Sequence, residues 1–169
     1  MAERKPPKPV TAAYLERAAV AYLERYGSSS DNLRRVLIRK ATRRAAEAPD
    51  AAVRAAIDET VAKAVRSGLV DDRAYAESKL ASLLRRGASA GTARAKLAAK
   101  GVGREIIAAA LEEAEPDEFA QARRYAERRH LGPFRPVPDP ARRERDMAVL
   151  ARAGFSYRAA EAALRTGED

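Results

Sequence analysis

The chain has 169 residues and a formal net charge of +9, with 34% charged residues, 46% apolar residues and only 5% aromatics. Much of the apolar fraction is alanine, so any core is thin and built from small side chains, which favours closely packed helices over a sheet sandwich. There is no cysteine, which excludes disulfides and thiolate metal sites and fits a reducing cytoplasm.

No apolar run approaches the ~20 residues of a membrane helix, and no period-2 run of β-branched and aromatic residues predicts a strand. MAERKPPKPV, residues 1–10, lacks the apolar core of a signal peptide and is expected to be a disordered basic tail. A helix is predicted from about Ser29 to Ala45, with Leu33, Leu37 and Ala41 on one face. Pro49-Asp50 then starts another, whose predicted inner face is Val53, Ile57, Val61 and Val65.

Val70-Asp71 reads as an apolar residue before an N-cap, with Tyr75 placed to staple onto Val70. Gly87 is a left-handed helix exit and Ser89 the next cap; Gly101 and Gly103 make a second exit and start. Asp117-Glu118 opens a further helix, and His130 falls at a helix end. Gly154, Phe155 and Ser156 read as a helix stop, an apolar N′ residue and an N-cap.

These punctuation marks recur. KGVGREIIAAAL (100–111) matches AGFSYRAAEAAL (153–164) at a shift of 53, without a gap. YGSSSDNLRRVLIRKA (26–41) matches RGASAGTARAKLAAKG (86–101) at a shift of 60, and DDRAYAE (71–77) matches DEFAQAR (117–123) at a shift of 46. The predicted organisation is a tail over 1–10 and helical repeats over 11–67, 68–115 and 116–169, each with room for three helices. A unit of this size with so little apolar bulk is marginal alone, so the units are expected to stack. The expected fold is all-α: three tandem three-helix repeats in an elongated, curved array.

Catalytic chemistry finds no support. His130 is the only histidine, and without a second His or a Cys neither a metal site nor a nucleophile–base set can be assembled. Asp71-Asp72 and Asp117-Glu118 open predicted helices, where capping and the helix dipole explain them. There is no GxxxxGK[ST] phosphate loop. The expectation is a protein that is not an enzyme and uses neither cofactor nor metal.

The basic residues carry more. Residues 1–67 hold 14 Lys/Arg against 8 Asp/Glu, whereas 68–115 and 116–169 are nearly balanced. Arg35, Arg39 and Arg43 fall at i, i+4 and i+8, opposite Leu33, Leu37 and Ala41. Arg34, Lys40 and Arg44 flank the apolar face, and Asp31 is the one acid of that helix. An ordinary solvated face interleaves both signs, so this imbalance points to a surface for a polyanion or an acidic protein. Arg85, Arg86, Arg94, Lys96 and Lys100 form a second, weaker patch. Arg142, Arg143 and Arg145 form a third, interrupted by Glu144 and Asp146.

LVDDRAYAE (69–77), KGV (100–102), RRHLGPF (128–134) and RAGFSYRAAEAAL (152–164), in this order and spacing, resemble the RecX family of recombination regulators. The resemblance covers residues 11–165. It implies three tandem three-helix repeats and a partner: members bind the RecA recombinase, typically in the groove of its filament on DNA. They usually restrain filament growth, ATP hydrolysis, strand exchange and SOS repressor cleavage. The first unit departs from the family's pattern. Lys40-Ala41 stands where members tend to carry Lys-Gly, so this helix is expected to run further. The resulting expectation is a cytoplasmic, monomeric protein that binds the RecA filament, reaching single- or double-stranded DNA through the filament or weakly alone. The rival expectation is an independent helical DNA-binding protein, although no dedicated dimerisation segment is visible.

Overall fold

The computed structural model describes residues 7–165, and these are helical, with no strand. Nine α-helices follow in order: α1 (Ala12–Leu23), α2 (Ser30–Ala45), α3 (Ala51–Arg66), α4 (Asp72–Arg85), α5 (Ala90–Ala99), α6 (Arg104–Ala114), α7 (Glu118–Arg128), α8 (Arg143–Arg152) and α9 (Tyr157–Ala163). Two short 3-10 turns, Gly132–Phe134 and Pro140–Arg142, lie between α7 and α8.

Capping explains most of the starts. An oxygen of Thr11, Ser29, Asp50, Asp71, Ser89, Asp117 or Ser156 accepts from a backbone N–H in the first turn that follows. Gly103 starts α6 without a side-chain cap. In the first unit the absence of Gly after Lys40 lets α2 run for 16 residues, against 10 for α5. It ends only at Ala46, which adopts the left-handed conformation with φ 59°.

The chain divides into two compact units, a coarser grouping than three repeats. The first runs to Tyr75 and takes in Lys100–Val102. Its core is Leu15, Ala18 and Ala19 from α1, Leu33, Leu37 and Ala41 from α2, and Ile57, Val61 and Ala64 from α3, closed by Val70. Val65 departs from the face expected of it and is 47% exposed. A spacing of four drifts by about 40° per step in a 3.6-residue helix, so by the third step Ala64 has taken the inward place.

Of the tail, residues 1–6 lie outside the described residues, while 7–10 belong to the first unit. Lys8 N–H donates to the Arg44 carbonyl at 3.0 Å, and Val10 packs against the core.

The second unit comprises Ala76–Ala99 and the chain from Gly103 on. One of its cores is Ala122 and Ala126 from α7, Leu150 from α8, Ala159, Ala160 and Ala163 from α9, and Leu131, Phe155 and Leu164 between and after them.

The duplicated sequence marks a duplicated joint. In the first unit Ser29 Oγ, at the start of α2, donates to the Lys100 carbonyl. In the second, Ser89 Oγ donates to the Ala153 carbonyl at 2.7 Å and Thr92 Oγ1 adds a bond at 3.0 Å. Ser29 and Ser89 are the pair aligned at the shift of 60, and Lys100 and Ala153 the pair aligned at 53. Each carbonyl precedes a glycine in the left-handed region, Gly101 at φ 75° and Gly154 at φ 88°. A side chain on Gly154 would be strained by that φ and would meet Ser89 Oγ at 2.8 Å.

Phe155 leaves this joint and turns inward. It is 5% exposed and meets Tyr125 edge-on, with ring centroids 5.7 Å apart. Phe155→Ala should cost about 3 kcal/mol, through lost transfer energy and the cavity left behind. Urea unfolding should show a lower midpoint at unchanged slope; an unchanged midpoint would contradict the burial.

Candidate partner-binding surface

Helix α2 is held from one side only. Leu33, Val36, Leu37 and Ala41 are buried, and Arg35, Arg39 and Arg43 stand exposed. Arg35 reaches back one turn to Asp31 at 2.6 Å. Among the described residues Arg39 and Arg43 make no ion pair. Arg43 lies in the last turn, where a cation also complements the helix dipole.

The flanking cations are engaged differently. Arg34 is half-buried, with Nε on Asp58 at 2.7 Å and Nη1 at 3.6 Å from Asp31. Arg44 lies over the Tyr14 ring at 4.2 Å and donates from Nε to the Pro9 carbonyl at 2.7 Å. Its own carbonyl accepts from Lys8, so Arg44 clamps residues 8 and 9 onto the end of α2. Lys40 is half-buried, and its carbonyl accepts from the Tyr14 hydroxyl at 3.4 Å. Of the six cations on this helix, the three of the expected stripe face solvent, while Lys40 is half-buried and Arg34 and Arg44 are tied to the fold.

That division is testable. Arg44→Ala should release the strap: the Lys8 amide should lose its hydrogen-exchange protection, and stability should fall by about 1 kcal/mol. A Lys8 amide protected as in the parent protein would contradict the clamp.

The residues expected to form the second patch are each exposed, but the structure divides them: Arg85, Arg86, Arg94 and Lys96 belong to the second unit and Lys100 to the first. Arg86 donates to Ser82 Oγ at 2.8 Å, and the carbonyl of Lys100 is the joint acceptor. The third patch changes character. Arg142, Arg143 and Arg145 are exposed, but Asp146 is buried, 3% exposed. Its carboxylate accepts from Gly132 N–H at 2.8 Å and from Arg135 at 2.5 Å. The acid that interrupts a basic run in the sequence is thus a structural anchor of the chain between α7 and α8. Nothing in a string of alternating charges distinguishes it.

The paired carboxylates also do more than cap. Asp71 caps α4, and Asp72 accepts from Ser30 N–H at 2.6 Å and Ser30 Oγ at 2.7 Å. Asp117 caps α7, and Glu118 accepts from Ser156 N–H at 2.7 Å and Ser156 Oγ at 2.9 Å. The shift of 46 had aligned Asp72 with Glu118, which was the available signal. Tyr75 sits near Gly27 and Tyr22; burial, then the neighbouring Tyr22, raises its pKa. Among the described residues no group of three His, Asp or Glu could hold a metal ion, and no helix is long and apolar enough to cross a membrane.

The architecture and surface define an all-helical protein of short, mostly capped helices with a basic face on α2, one of its two 16-residue helices. The family model for the second three-helix domain of RecX matches residues 71–111. A regulatory protein RecX from Myxococcus xanthus is 42% identical over 161 residues, spanning 90% of this chain and 85% of the relative. One from Agrobacterium fabrum is 33% identical over 146 residues, spanning 86% and 78%. The crystal structure of RecX from Lactobacillus salivarius superposes with a TM-score of 0.65 at 17% identity, covering 90% of this chain and 94% of that one. A second crystal structure of a regulatory protein RecX gives 0.61 at 22% identity, covering 89% and 71%. The chain belongs to the RecX family of regulatory proteins.

Proposed function

We propose that this protein binds RecA filaments on DNA, in the filament groove, and restrains RecA: its ATP hydrolysis, its strand exchange and its promotion of SOS repressor cleavage. It acts as a cytoplasmic monomer and not as an enzyme. Family membership supports the regulatory role. The observation that carries the binding surface is the α2 stripe, in which Arg35, Arg39 and Arg43 are exposed on a helix whose other face is buried. Three guanidinium groups in a row, with one acid on the helix, suit phosphates or an acidic protein surface. Arg85, Arg86, Arg94 and Lys96 in the second unit, and Lys100 in the first, are further exposed cations of the same chemistry.

The test is an ATPase titration of RecA on single-stranded DNA. Substoichiometric protein should lower turnover, and unchanged turnover at saturation would count against restraint. The second reading, a helical DNA-binding protein that acts without RecA, draws on the same exposed arginines. It requires binding to bare DNA at least as tight as binding to RecA-coated DNA.

A further inference from the structure

The second unit presents two aromatic rings at one clamp. Glu118, the first residue of α7, holds both the N–H and the hydroxyl of Ser156, the cap of α9. The next residues in the chain are Phe119 and Tyr157, which are 48% and 71% exposed. The whole chain has three Phe and six Tyr. Two of the nine therefore stand in solvent at the starts of helices that one carboxylate ties together.

Neither ring belongs to the core of the second unit given above. Helix α7 packs through Gln121, Ala122 and Ala126, and α9 through Ala159, Ala160 and Ala163. Exposed aromatics on rigid elements are the side chains that most often anchor an interface, since they bury much area and lose little rotamer freedom.

The local charge selects the occupant. Residues 112–118 contain Glu112, Glu113, Glu115, Asp117 and Glu118 and no Lys or Arg, in a chain of net charge +9. Arg158, beside Tyr157, is the one cation in the first turn of α9. Base stacking on these rings would bring phosphates towards the carboxylates, which disfavours nucleic acid. A protein surface with basic side chains around an apolar socket has the complementary chemistry.

We propose that Phe119 and Tyr157, with the acidic 112–118 segment that leads into Phe119, form a second docking surface, which takes a basic protein surface with an apolar socket. Taking RecA as that protein rests on the reading given under Proposed function. This face then adds a protein contact of its own to whatever the arginine stripe meets.

The experiment compares binding to bare single-stranded DNA and to RecA-coated single-stranded DNA, at one salt concentration. The variants are Phe119→Ala with Tyr157→Ala, and Glu112→Lys with Glu115→Lys; circular dichroism should show unchanged helix content for both. The aromatic variant should lose about tenfold or more on RecA-coated DNA and nothing on bare DNA. The charge variant should weaken on RecA-coated DNA while binding bare DNA equally or more tightly, because it adds positive charge. Folded variants that both bind RecA-coated DNA like the parent protein would overturn this surface alone. An aromatic variant weakened equally on both substrates would identify a base-stacking platform and also overturn it. A parent protein that binds bare DNA but gains nothing from RecA would overturn the RecA reading, and the identity of this partner with it.

Discussion

Replacing Arg35, Arg39 and Arg43 together by Glu is expected to weaken binding to RecA-coated DNA by on the order of 100-fold or more at low salt, with the fold intact. The three side chains are exposed, while the helix is retained by Leu33, Val36, Leu37 and Ala41 on its other side. The Arg35 pair with Asp31, which is lost, is a half-exposed i,i+4 pair worth about 0.3–0.5 kcal/mol. Each substitution removes an attraction and adds a repulsion, so the loss exceeds that of neutral variants. Gln at the same three positions separates the possible targets. If the arginines meet phosphates, the slope of log K against log salt should flatten by about 0.7–0.9 per contact removed. If they meet acidic protein groups, bare-DNA binding should barely change while RecA-coated binding falls. A folded triple-Glu variant that binds and restrains like the parent protein would reduce the stripe to a solvated face.

Asp146→Ala should destabilise the second unit by about 3–5 kcal/mol. The carboxylate is almost fully buried and holds Gly132 N–H and Arg135, and the Arg135 side chain is itself only 16% exposed. Removing the acid leaves a buried guanidinium without its counter-charge, and one backbone N–H without an acceptor. Asp146→Asn keeps an acceptor for Gly132 and should cost less. Replacing Arg135 by Met in the Asp146→Ala background should recover part of the loss, because the stranded charge is gone. Denaturant midpoints distinguish these cases. A midpoint for Asp146→Ala equal to that of the parent protein would show that the pair contributes nothing.

The sequence disclosed local geometry well because helix boundaries are encoded by single residues with narrow requirements. Asp50, Asp71, Ser89 and Ser156 cap where their spacing puts them, and Gly154 and Phe155 take the left-handed exit and the buried place that follows. The missing Gly after Lys40 announced the longer α2. What the sequence concealed depends on chain neighbours far apart. Asp146 looks like any surface acid until Gly132 and Arg135 are brought to it. Arg44 looks like one more cation flanking the apolar face until Tyr14 and Pro9 close on it. Val65 followed an i+4 pattern that a real helix does not sustain. Tyr157 could not be sorted from core aromatics, because periodicity in a seven-residue helix such as α9 is too short to assign a face.

The proposed function requires that this chain act on RecA and reach DNA chiefly through it. The most direct measurement is a pair of dissociation constants in the same buffer, one for bare single-stranded DNA and one for the same strand coated with RecA and nucleotide. Binding at least about tenfold tighter to the coated strand is the expected result, since the protein contact adds to the electrostatic one. Equal or tighter binding to the bare strand would contradict the account and leave an independent DNA-binding protein in its place.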